Sequence, residues 1–176
     1  MRDIMPFNAP TLKPPTPNSK TKFEKLCEQF NAAKSESPEA FERLIREVVT
    51  ECKQTIARDY AVTIPNNEVV PCYSHRFDEL YAQEPQHGAK PSAFIDGGKG
   101  IIVINIEEKL ALGYWGAFTA ELVLDVSEEF VHAVFPREDE IETKKKSHEI
   151  TERFLEIKIP EDYKKAVLEN AASPNY

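Results

Sequence analysis

Cysteine is scarce in this chain, and its arrangement is uninformative for chemistry. Only Cys27, Cys52 and Cys72 occur among 176 residues, far apart and odd in number. With no C-x-x-C pair and no secreted-type framework, a reducing, cytoplasmic setting is expected. Long apolar runs are also missing. None approaches the length of a membrane span, and the N-terminus is rich in proline where a signal segment would be apolar, so no membrane association is expected. Positive charge is in deficit: 22 Lys and Arg face 30 Asp and Glu, a formal net charge of −8. That balance disfavours nucleic-acid backbones and anionic lipid, whose binding relies on basic clusters. The one dense basic run, Lys144-Lys145-Lys146, is flanked by glutamates and reads as a solvated helix face.

What remains is the composition of an ordinary α+β domain, large enough to bury a core without metal or disulfide staples. Residues 1–18 carry Pro6, Pro10, Pro14, Pro15 and Pro17 with few apolar anchors and read as an extended, flexible arm. Residues 19–172 form the expected domain and 173–176 a polar tail. A helix is predicted over 19–33, with Phe23, Leu26, Cys27 and Phe30 on one face. A turn at 34–37 leads to a second helix, with Ser37 as N-cap, Pro38 in the first turn and Phe41, Leu44, Ile45, Val48, Cys52 and Ile56 inward.

Residues 60–65 and 68–73 are β-like, and Pro71 argues for an edge position. A short helix fits 75–83, with Phe77, Leu80 and Tyr81 inward. A polar loop containing His87 follows. Residues 93–95 and 101–106 then form a β-hairpin around the glycine-rich turn at 96–100. Its second strand is apolar on both faces and so is expected to be covered on both sides. A long helix is predicted over 107–135, interrupted near Gly113 and Gly116 and ended by Pro136. Another spans 140–156 with Ile150, Phe154 and Ile157 inward. A short one starts at Pro160.

The chemistry concentrates in residues 121–135, ELVLDVSEEFVHAVF. Glu121, Asp125, Glu128 and His132 recur at helical spacing and stack along one side. Within that stripe, Glu128-Glu129-Phe130-Val131-His132 differs by one residue from H-E-x-x-H, in which two imidazoles one turn apart hold zinc and the glutamate serves as base. A glutamate stands in the first histidine position. Glu-x-x-x-His is a weaker and less selective pair, and it tolerates manganese or iron as well as zinc.

The order of elements around the motif is a hairpin ending in GIIVIN, the motif helix, then an acidic helix containing a histidine. Together with EEFVHAVFP, this resembles the core of the zincin metallopeptidases over about residues 94–156. The resemblance implies Glu129 as general base and Glu128 and His132 as metal ligands. It also implies a third ligand on the following helix: Glu149, or alternatively Glu142, His148 or Glu152. It implies a metal-dependent hydrolase of peptide or amide bonds, with a degenerate, metal-free site as the expected state.

Two blander arrangements fit the same residues. The stripe can be a solvated acidic face opposite Val123, Val126, Phe130, Ala133 and Val134. A non-catalytic module can use that face, or the proline-rich arm, to hold a peptide or protein partner. A thiol–base pair of Cys72 and His75 is disfavoured because an extended Cys-Tyr-Ser-His segment directs the two side chains to opposite faces.

Overall fold

A computed structural model describes residues 19–65, 68–83, 91–96 and 100–173. The arm, the loop with His87, the centre of the hairpin turn and the last three residues lie outside the described residues. The first helix, α1 (Lys22–Glu36), begins three residues later than its apolar periodicity suggests. Thr21 accepts a hydrogen bond from the Glu24 amide, and the Glu24 carboxylate accepts one from the Thr21 amide. This reciprocal box fixes the start at Thr21. Ser37 both ends α1 and caps α2 (Pro38–Asp59), its hydroxyl accepting from Ala40 N at 3.0 Å, so the expected turn shrinks to one residue.

Residues 60–65 are not a strand. Ala61 has φ of 51°, and the Val62 amide donates back to Ala57 O at 3.0 Å. The backbone donor that a strand would use is consumed in closing α2.

Strand β1 (Glu68–Cys72) runs parallel to β3 (Ile101–Asn105), and β2 (Ala93–Asp96) runs antiparallel to β3 on its other side, giving the order β1-β3-β2. Pro71 is therefore on an edge strand, as expected. β3 is covered on both faces. Ile102 and Ile104 enter the main core, whereas Val103 joins Cys72, Phe94 and Phe77 beneath α3 (Ser74–Tyr81). Cys72 is buried, with its thiol pushed up to about 11 by desolvation, and His75 is exposed beside Glu79. They form no nucleophilic pair.

The long predicted helix is two: α4 (Ile106–Leu110) and α5 (Trp115–Val134). The chain breaks at Gly113, whose φ is +87°, and at Tyr114, which is extended. A Cβ on Gly113 meets nothing within 4 Å. Gly113→Ala is thus expected to cost only the backbone strain, about 1 kcal/mol in urea unfolding. No loss would mean that the segment relaxes freely.

Helix α5 is the centre of the molecule. Its apolar side meets α1 and α2 through Phe30, Phe41, Trp115 and Phe118, with Phe30 and Phe118 ring centroids 5.0 Å apart. Helix α6 (Glu140–Leu155) returns antiparallel along α5 after a short turn at Pro136, and α7 (Glu161–Ala171) packs on α6. The inward residues of α6, Ile150 and Phe154, are as expected. Cys52 is fully buried, but Cys27 is only partly so. No helix among the described residues is long and apolar enough to cross a membrane.

Candidate functional site

The polar stripe of α5 is only partly open to solvent: α6 and α7 cover one flank and β2 and α4 the other, while His132 at its end keeps 40 % of its side chain exposed. Ala133, expected inward, is exposed. The stripe divides into three groups according to which neighbour each carboxylate meets.

On the β2 side, Asp125 accepts from the Ser92 hydroxyl and from the ammonium of Lys109. Lys109 is only 2 % exposed and also donates to Ser92 Oγ at 3.1 Å. The charge pair ties the entry to β2, the short helix α4 and the middle of α5 into one unit. Nothing in the IEEKL segment marks Lys109 as buried; only its tertiary partner makes burial tolerable.

One turn further, Glu129 accepts from the Ile95 amide on β2 at 3.2 Å. Desolvation, reinforced by the neighbouring Glu128, pushes the Glu129 carboxyl up to about 8. Burial thus favours the protonated carboxyl near neutrality, and a base role would need a cation beside it to draw the pKa down. The hydrogen bond also directs it toward the outer edge of β2.

On the α6 side, ligand atoms of Glu128, His132 and Glu140 all lie within 4.8 Å of one another. His132 Nε2 is 3.4 Å from Glu140 Oε2, and this contact raises the imidazole pKa and lowers the Glu140 carboxyl to about 2. The Lys144 ammonium pairs with Glu128 and lies 3.3 Å from Glu140 Oε1. Burial still raises the Glu128 carboxyl, against the pull of Lys144. Lys144, read from sequence as a solvated charge, is 12 % exposed.

Two of the motif residues therefore converge with a residue of α6, but not with one that the resemblance implied. Glu149 is exposed on the outer groove between α6 and α7. Glu142 is exposed and pairs with Lys145 at 2.6 Å. Glu152 holds the α6–α7 connection, accepting from Ile159 N at 2.9 Å and pairing with Lys164 at 2.8 Å. His148 is buried against Tyr163. Glu140 takes the third position because the short turn after α5 returns the first turn of α6 to the last turn of α5. Asp139 caps α6 there, accepting from Glu142 N at 2.9 Å.

The donor set alone, two carboxylates and an imidazole, suits a divalent ion of intermediate hardness. The Lys144 ammonium is in ion-pair contact with two of the three donors, so the site as folded does not fit a catalytic metal. Comparison with family models, curated proteins and solved structures gave no match. The geometry of α5, α6 and β2 is what bears on function.

Proposed function

We propose that this is a zincin-like protein with a degenerate active site, in which Lys144 supplies the positive charge that a metal ion would bring and peptide hydrolysis is not the activity. The observation that carries this reading is the contact of one ammonium with both Glu128 and Glu140. The zincin likeness is supported by the antiparallel edge strand β2 packed on the motif helix, and by the following helix delivering Glu140 to Glu128 and His132. The degenerate state is further supported by Glu129, which burial keeps protonated near neutrality.

Lys144→Met removes the ammonium and keeps much of its stem. It leaves two carboxylates and an imidazole without their cation, and zinc or manganese is expected to take its place. Saturating zinc should then raise the Tm of the variant by about 5 °C. The wild type and Lys144→Met/His132→Ala should show no such shift. Elemental analysis of purified wild type should find no stoichiometric metal. A near-equimolar ion in wild type, lost in His132→Ala, would overturn the reading and identify a working metal centre.

A further inference from the structure

A groove of about 190 Å³ opens at the elbow between α4 and α5, lined by Leu110, Gly113, Tyr114, Trp115 and Phe118. Of these side chains only Tyr114 and Trp115 carry a polar atom, and the Trp115 indole N–H is committed to Asn31 Oδ1 at 2.9 Å. The indole also stacks on Phe30, with centroids 6.4 Å apart, and so forms a fixed wall. Tyr114 is 41 % exposed; among the described residues only Tyr73 is another large apolar side chain so open to solvent. At Gly113 the wall has no side chain, and a Cβ there would meet nothing within 4 Å.

A lining with so few side-chain acceptors disfavours an ordinary extended segment, whose backbone N–H groups would be buried without partners. Consecutive prolines carry no N–H, hold the polyproline conformation in advance and offer their rings to aromatic faces. The chain's one Pro-Pro step is Pro14-Pro15, within Pro10-Thr11-Leu12-Lys13-Pro14-Pro15-Thr16-Pro17, a stretch outside the described residues. In a helix of three residues per turn, Pro14 and Pro17 share a face, about 9 Å apart.

We propose that this proline-rich stretch occupies the α4–α5 groove of its own chain, with Pro14 and Pro17 against Tyr114 and Trp115. The attachment point is near enough. Thr21, the cap of α1, is four residues beyond Pro17, a span of about 12 Å in extended chain. In the first turn of α1, the Phe23 ring reaches the groove's edge. Its Cζ and the Tyr114 ring both lie 3.4 Å from where a Cβ on Gly116 would stand. The charges agree as well: burial and then the nearby Glu121 raise the Tyr114 hydroxyl, and Lys13 brings the sign opposite to that carboxylate.

Trp115 is the only tryptophan in the chain, so its fluorescence reports on the groove. A short tether supplies an effective concentration on the order of 1 mM, so a stretch binding with Kd on the order of 0.1 mM fills the groove about nine-tenths of the time. In the full chain, Pro14→Ser/Pro15→Ser/Pro17→Ser should raise acrylamide quenching of Trp115 about twofold and shift its emission to the red. A synthetic peptide of residues 8–19 should reverse both changes in that variant. The same peptide carrying the three serines should not, and adding Tyr114→Ala to the variant should abolish the rescue. Quenching in the triple variant equal to wild type, or equal rescue by the two peptides, would overturn the proposal. Wild-type quenching that rises on dilution, with dimers in sedimentation, would also overturn it and give the groove to the proline-rich stretch of a second copy.

Discussion

Lys109→Met is expected to cost about 3 kcal/mol of unfolding free energy, because breaking a buried ion pair leaves its partner uncompensated. The ammonium is 2 % exposed and its partner Asp125 is 23 % exposed, so little water is available to replace it. The loss also removes a donor to Ser92. Asp125→Asn in the same background should recover part of the deficit by removing the stranded charge. Urea unfolding of the two single variants and the double variant measures the coupling. A coupling near zero would mean that the pair is solvated in solution and that α4 is held by its apolar contacts alone.

The second large effect concerns Glu129, the residue that the zincin resemblance assigns as base. Its carboxyl has a folded pKa of about 8, against an ordinary value of 4.5. The folded state therefore holds a proton that the unfolded state has released between those pH values. Stability must fall as pH rises through that window. At pH 7 the penalty is roughly 3 kcal/mol, and it grows to roughly 5 kcal/mol above pH 8, from a shift worth about 1.36 kcal/mol per pH unit. Glu129→Gln keeps the shape and an acceptor for the Ile95 amide but carries no titrating group. It is expected to be more stable than wild type at pH 8, by roughly 2 kcal/mol, and about equal at pH 5.

Glu121, raised to about 7, gives the wild type a further slope in the same direction that this variant keeps. Glu140 acts oppositely: its depressed carboxyl contributes stability that is present above pH 4.5 and lost as pH falls toward 2. Chemical unfolding at a series of pH values distinguishes these contributions. A Glu129→Gln protein less stable than wild type at pH 8 would mean that the carboxylate is ionised and useful there. Glu129 would then regain its candidacy as a base.

Much of the architecture follows from local sequence. Ser37-Pro38 sets the junction of α1 and α2, Pro136 ends α5, and the apolar run of β3 places it at the centre of the sheet. These are decisions about backbone donors and burial that neighbouring residues make for themselves. The expected strand at 60–65 failed for a local reason too, since Ala61 in the left-handed region completes the end of α2.

The site divides along the same line. That Glu128 and His132 share a helix face is fixed by their spacing of four, whatever surrounds them. Glu140 was within reach of the same reasoning, because a short turn between antiparallel helices must bring the start of the second to the end of the first. What spacing alone cannot supply is the sign and state of the neighbours. Lys109 and Lys144 are lysines in polar segments, indistinguishable locally from solvated ones, until α4 and α6 fold over α5. Glu129 becomes a neutral acid only because burial takes it out of water and the like charge of Glu128 stands beside it. The helix periodicity was written in the chain; the charges that decide what the helix can do depend on desolvation, which only the packed structure determines.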